Sequence, residues 1–315
     1  MQEKDITTTE YFEDPERFAD LINGFLFDGD QMINAQDVYE IDRVISKKWK
    51  KSEWIRAQIK IRDLMRQVDF GMQVVLIALE NQSDIHYAMP VRVMSADAAV
   101  YENQVQRKQK EHEKIKDLKK GEEYLSKFGK EDKILPTITI VIHWGKDAWD
   151  GPRSIKEMMD LSKIPGELRK YIEDYHIKLL EVRKYPFLQN FRTDMQYVFG
   201  FLQNAENIDE LEKYVKENER YFSNMKEDAY DMVRMISNTK ELKKIKREDN
   251  KGGIDMCEGI RQMVERGEKQ GFDNGIKIAK KLFKMRESGI SYEEMAKACN
   301  ISAQVVRNIL EDEVT

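Results

Sequence analysis

Two stretches of this chain are apolar on both faces of an extended backbone, and they constrain the fold more than anything else in it. They are Gln73-Val74-Val75-Leu76-Ile77-Ala78-Leu79 and Ile138-Thr139-Ile140-Val141-Ile142-His143-Trp144, the second ending at Gly145. A strand with no polar face has to be covered on both sides, so each belongs in the interior of a sheet. Between them, residues 87–106 read as a helix, with Pro90 near its first turn and Met89, Val93, Ala96 and Val100 along one face. Ahead of them, Pro15 opens an amphipathic helix carrying Phe18, Leu21, Ile22, Phe25 and Leu26, stopped near Asp28-Gly29. Val38-Tyr39-Glu40-Ile41 and Ala57-Gln58-Ile59-Lys60-Ile61 are shorter β-prone runs. Helix, strands, helix, strand is an α/β order, and it predicts a mixed sheet.

With 315 residues, 41% of them apolar, the chain can bury a substantial core. Its 53 Lys and Arg against 58 Asp and Glu leave a net charge of only −5, so the total does not advertise a basic nucleic-acid binder. The longest apolar runs fall well short of the roughly 20 residues that a membrane helix needs. The polar, acidic start Met1-Gln2-Glu3-Lys4-Asp5 has no secretory pattern, and a cytoplasmic protein with no membrane partner is expected. Cys257 and Cys299 lack metal-site spacing and read as small apolar side chains.

Residues 107–133 are dense in alternating charge, which favours a solvated helix or insertion over a DNA-binding arm. Beyond Pro186 strand signals fade, and residues 201–250 read as an all-α appendage. Residues 251–276 open with Lys251-Gly252-Gly253 and carry Gly259, Gly267, Gly271 and Gly275. These glycines are open to two readings, a flexible linker or close helix contacts.

The last segment, 277–315, contains Ser291-Tyr292-Glu293-Glu294, the form in which two side chains cap each other's backbone, so a helix should start at Tyr292. After the turn Asn300-Ile301-Ser302, residues 303–310 make a second short helix with Ser302 as its cap. Locally this resembles the helix-turn-helix of DNA-binding proteins. Residues 277–310 carry seven basic and three acidic side chains, a local +4, and Gln304, Arg307 and Asn308 would make the DNA contacts. A small packing or oligomerisation bundle is the alternative, and a homo-oligomer stays open.

One constellation carries chemistry. Asp63 and Glu80 each close a strand, and period-two alternation puts Gln82 on the Glu80 face while Asn81 turns away. If the strands are hairpin neighbours, two carboxylates and an amide converge, and oxygen donors of that kind suit Mg²⁺ or Mn²⁺. Asp63 alone reads more readily as a surface or turn acid following Arg62. Glu80, at the rim of a buried strand, needs a partner or a role. His143 reads as a packing histidine at a strand end, and Arg92 as a partner for the carboxylates or for a phosphate.

Several motifs occur here in a fixed order. They are Arg62-Asp63-Leu64; Ile77-Ala78-Leu79-Glu80-Asn81-Gln82-Ser83; Met89-Pro90-Val91-Arg92; and Leu135-Pro136 leading to His143-Trp144-Gly145 with Trp149 after it. Over roughly residues 10–200 this resembles the Rpn (YhgA-like) family of recombination-promoting nucleases in the PD-(D/E)XK superfamily. The resemblance implies a restriction-endonuclease-like core, Mg²⁺-dependent DNA cleavage, and a role in recombination or in defence against mobile DNA. By the same resemblance Asp63 and Glu80 hold the metal, and Gln82 stands where the superfamily usually has lysine. His143 stands where the family often has tyrosine.

The charge distribution points the same way. Residues 43–66 hold nine basic side chains and two acidic ones, a local +7, with Trp49 and Trp54 among them. Lys47, Lys48, Lys50, Lys51 and Arg62 would track phosphates beside the site, with Arg92. A solvated connection whose tryptophans pack on the core is the alternative reading.

Overall fold

In the computed structural model, which describes residues 3–41, 64–70, 74–119, 121–237, 242 and 253–311, both doubly apolar runs lie inside one sheet. Two helices precede it, α1 (Glu3–Glu13) and α2 (Pro15–Leu26). The strands are β1 (Val38–Glu40), β2 (Leu64–Asp69), β3 (Val74–Gln82), β4 (Thr137–His143) and β5 (Lys178–Glu181). They lie in the order β1-β2-β3-β4-β5. The first three run antiparallel to one another, while β3, β4 and β5 are mutually parallel. This is a mixed sheet, as the order of elements predicts.

Parallel neighbours need a crossover, and α3 (Met89–Ile115) provides it between β3 and β4. Met89, Val93, Ala96 and Val100, the face expected to pack, are all buried. The helix runs nine residues beyond the expected end at 106 and stops on Lys116, whose backbone is left-handed at φ 55°. On the opposite face of the sheet, Leu64, Ile77, Leu79, Ile140, Ile142 and Leu180 join one apolar core with α1 and α2.

The helix opened by Pro15 forms as the spacing predicts. Asp14 caps it by accepting from the Glu16 N–H at 2.8 Å. It ends where Asp28 and Gly29 both take positive φ, 51° and 95°. Each of Phe18, Leu21 and Ile22 is fully buried, which stabilises the fold by roughly 2 kcal/mol per side chain. The preceding helix α1 has no clear apolar stripe, yet it packs on the sheet's helical layer through Tyr11 and Phe12.

Short helices α4 (Gly121–Ser126) and α5 (Gly166–Arg169) follow, then α6 (Met195–Asn204), α7 (Ile208–Glu217), α8 (Glu219–Phe222) and α9 (Glu227–Ser237). The described residues of the segment that reads as an all-α appendage are helical and share the core of the strands. Phe199 of α6 stacks edge-on against Trp144 at 5.8 Å, and Phe201, Leu211, Phe222 and Val233 belong to the same continuous core as the strands. Helical periodicity shows which side of a helix is apolar, but not which surface it meets.

The charged insertion after α3 is organised by one histidine. His112 Nδ1 lies 2.8 Å from Asp117 and Nε2 lies 2.7 Å from Asp132, whose carboxylate also accepts the Gly129 N–H at 2.7 Å. The Asp117 hydrogen bond, then that of Asp132, raises the His112 pKa. A raised folded pKa means these contacts are at full strength below the ordinary value of 6.5 and are lost as the pH climbs through the raised one. Amide exchange at Gly129 should therefore accelerate over that range beyond its intrinsic base dependence. His112→Gln should abolish the extra acceleration, and an identical pH profile in the two proteins would refute the arrangement.

Residues 256–287 form one continuous helix, α10 (Met256–Glu287), where the glycines allow a linker reading. A Cβ added at Gly267, Gly271 or Gly275 would meet no described atom within 4 Å, so these glycines mark no close contact with any of the described residues. At its far end Leu282 packs with α11 (Tyr292–Cys299) and α12 (Ala303–Glu311) in a separate small core of Met295, Ala296, Val306 and Leu310. Ser291 and Glu294 cap each other as their spacing predicts, and Asn300 turns the chain at φ 54°.

Candidate active site at the carboxyl end of β3

The third strand ends in Glu80-Asn81-Gln82, and alternation separates their roles. Asn81 faces the main core, where its Oδ1 accepts the Trp144 indole N–H at 3.0 Å. Glu80 and Gln82 face α3. Glu80 is 3% exposed, and its Oε1 receives Arg92 Nη2 at 2.6 Å and Gln82 Nε2 at 3.3 Å. Arg92 can reach it because Pro90 and Met89 start α3 directly over the strand end, and one further turn brings the guanidinium back above it.

The structure thus brings together Glu80, Gln82 and Arg92, three of the residues picked out from the sequence. A carboxylate this deeply buried would carry a heavy desolvation cost without the guanidinium. The other picks, Asp63 and the basic residues Lys47, Lys48, Lys50, Lys51 and Arg62, lie outside the described residues. Leu64, the covalent neighbour of Asp63, is paired across the hairpin with Leu79, the residue before Glu80. The strand paired with β3 is thus Leu64–Asp69, which begins after Asp63 rather than ending at it, and the 57–61 run that Asp63 is expected to close lies outside the described residues.

Oxygen donors at this point have the right chemistry for a hard divalent cation, but the described set is small. It comprises one carboxylate and one amide, and Arg92 already bears on the carboxylate. Among the described residues, no three His, Cys, Asp or Glu side chains are grouped to hold a metal ion.

Other polar groups line the same face of the sheet and escape a motif-based reading. Asp97, 4% exposed, accepts from Thr139 Oγ1 at 2.6 Å and from the Tyr175 hydroxyl. A buried acid on the apolar face of a predicted helix is the signal that could have flagged it. His143, opposite Gln82 in the sheet, is buried, stacks edge-on with Trp149 at 5.4 Å, and hydrogen-bonds the Asp147 carbonyl through Nε2 at 3.0 Å. It packs at the strand end as its position predicts. Gly145 is needed beside it, because a Cβ there would come within 2.5 Å of the imidazole and 2.7 Å of the Ser83 carbonyl.

At the other end of the chain, α12 buries Val306 and Leu310 and leaves Gln304, Arg307 and Asn308 exposed on its outer side. Gln304 Nε2 donates to Asn308 Oδ1 at 3.0 Å, one turn apart, so the two amides form a joined polar edge.

Fold and site together define a mixed α/β protein with twelve α-helices among the described residues and a buried, guanidinium-paired carboxylate at the end of a parallel strand. None of its described helices is long and apolar enough to cross a membrane. Comparison with models of known protein families, with curated proteins and with solved structures finds no match in any of the three.

Proposed function

We propose that this chain is a metal-dependent DNA endonuclease with a restriction-endonuclease-like core, acting in recombination or in defence against mobile DNA. The observation that carries this reading is the convergence of Glu80, Gln82 and Arg92 on one face at the carboxyl end of β3. It also rests on the resemblance of the ordered motifs to the Rpn nucleases. Glu80 and Asp63 would hold Mg²⁺ or Mn²⁺. A bound ion of this kind supplies an activated water and offsets charge developing on a phosphodiester.

The chain's own residues have distinct parts in this scheme. Gln82 orients the attacking water through its amide, a neutral group where an ammonium would give cationic help, so turnover is expected to be slow. Arg92 compensates the Glu80 charge while the site is empty of DNA and can turn its exposed side to a phosphate. Lys47, Lys48, Lys50, Lys51 and Arg62 track the backbone, and α11 with α12 acts as a helix-turn-helix presenting Gln304, Arg307 and Asn308.

Purified protein incubated with supercoiled plasmid and Mg²⁺ or Mn²⁺ should produce nicked circles. Glu80→Gln and Asp63→Ala should each slow nicking by roughly 100-fold or more, the scale of losing a principal transition-state contact. No nicking with either metal, or nicking that survives both substitutions, overturns the assignment.

A second reading is a non-catalytic DNA-binding protein that retains the nuclease fold, and the Arg92 contact favours it. A guanidinium 2.6 Å from Glu80 is an internal counter-ion standing where a cation would be needed. Salt-dependent DNA binding, with no Glu80-dependent heat on titration with Mn²⁺ or Mg²⁺, would select this reading.

A further inference from the structure

Beyond the carboxyl ends of β3, β4 and β5 lies a cleft of about 560 Å³, bordered by the motif residues Ser83, His143, Trp144 and Gly145 but with its cationic groups outside every motif. Ligands of open α/β sheets characteristically bind at this edge. Arg183, two residues past the end of β5, lines the cleft together with Lys146 and Tyr87.

Arg183 is held in an unusual way. Its Nε donates to the Trp144 carbonyl at 3.1 Å and its Nη1 to the Leu202 carbonyl at 2.5 Å. Two neutral acceptors fix the plane of the guanidinium, and no carboxylate among the described residues forms a close ion pair with it; Glu206, which pairs with Lys146 at 3.7 Å, acts on it only at longer range. Burial works against its charge, as the lowered pKa reflects. Three of its five N–H groups remain for a ligand. A half-buried, pre-oriented cation in a cleft is suited to an anion, and the planar fork suits a phosphate.

The remaining lining narrows the choice. Asp84 and Asp147 are exposed at the rim, and with Glu206 beside Lys146 the three acids exceed Lys146 and Arg183 by one formal charge. A phosphate dianion would meet their repulsion, while a singly charged phosphodiester would lose much less. Tyr87 is 60% exposed, and its hydroxyl is anchored to Asp150 at 3.0 Å, so the ring stands fixed at the cleft as a stacking platform.

We propose that this cleft binds one phosphodiester of a nucleic-acid strand, with the phosphate on Arg183 and an adjacent base on Tyr87. The proposal rests on the nucleic-acid reading above and gives it a second contact point. Ser83, at the cleft, directly follows Gln82 in the chain, so a strand held here leads toward the Glu80 end of β3.

The test is fluorescence anisotropy of a labelled thymidine pentanucleotide on the full-length protein, across a salt series and without divalent metal. Arg183→Gln should weaken binding about 10-fold and flatten the salt dependence by about 0.7 in log–log slope, the loss of one phosphate contact on a single strand. Tyr87→Ala should weaken it about 10-fold, with Tyr87→Phe restoring it. Inorganic phosphate should compete poorly. Tyr87 is exposed, so its variants decide the matter if Arg183→Gln does not fold. Unchanged affinity in both Arg183→Gln and Tyr87→Ala, or no binding by the wild type, overturns the proposal. Arg183-dependent binding in a protein that nicks no plasmid would keep the cleft and remove the nuclease. Glu80-dependent nicking indifferent to Arg183 and Tyr87 would do the reverse.

Discussion

Arg92→Ala should cost about 3 kcal/mol of folding stability, read from urea denaturation. The carboxylate it leaves behind is 3% exposed and would lose the positive charge 2.6 Å from it. The value sits at the low end for such pairs for two reasons. Arg92 is itself one-third exposed, and Gln82 continues to donate to the same oxygen. Glu80→Gln in the Arg92→Ala background should recover about 2 kcal/mol of the loss, because no buried charge then remains. Additive losses in the double-mutant cycle would show that the pair is not coupled, and that Arg92 matters only through its packing.

Arg17→Met should be more damaging, by about 4 kcal/mol. Arg17 is 2% exposed and pairs with Asp194 at 2.8 Å and with Asp228, while its guanidinium lies 4.1 Å from the Tyr11 ring centre. One side chain of α2 thereby ties α1 to residues at the starts of α6 and α9. The methionine fills the volume but leaves Asp194 and Asp228 without the guanidinium they share. Burial pushes the Asp228 pKa up, but the Arg17 hydrogen bond and charge outweigh it and hold it below its ordinary value of 3.8. A lowered folded pKa stabilises above that ordinary value and is lost as the pH falls through the lowered one. Wild type should therefore lose stability in acid more steeply than Arg17→Met. Parallel acid limbs for the two proteins would refute the linkage.

Neither cluster was equally legible in the sequence. Glu80, Gln82 and Arg92 could be found because each sits where a periodic pattern breaks: an acid ends an apolar strand, an amide follows two residues later, and an arginine faces them from the next helix. Arg17, Asp194 and Asp228 are separated by up to 211 residues and interrupt no pattern, since charged residues are ordinary on amphipathic helices. The same holds for Asp97 with Tyr175 and for Arg183 with Trp144, where the decisive partner is distant in the chain or is a backbone carbonyl. The four-residue strand β5 was missed because so short a run carries no readable period. The glycines of α10 left a linker and close helix contacts equally open, and the helix forms through them because each costs only about 1 kcal/mol, which packing at both helix ends can outweigh.

The sequence by itself determined the two central strands, the crossover helix with its buried face, the ends of α2, the caps of α11 and α12, and the side of β3 on which Glu80 and Gln82 lie. These follow from local periodicity and capping, which act over a few residues. Only the tertiary structure decided that the middle helices share the sheet's core, that Arg92 neutralises Glu80, and that Arg183 stands in a cleft held by two carbonyls. Those outcomes depend on which surfaces meet and which charges lose their water together, and both are properties of the packed chain.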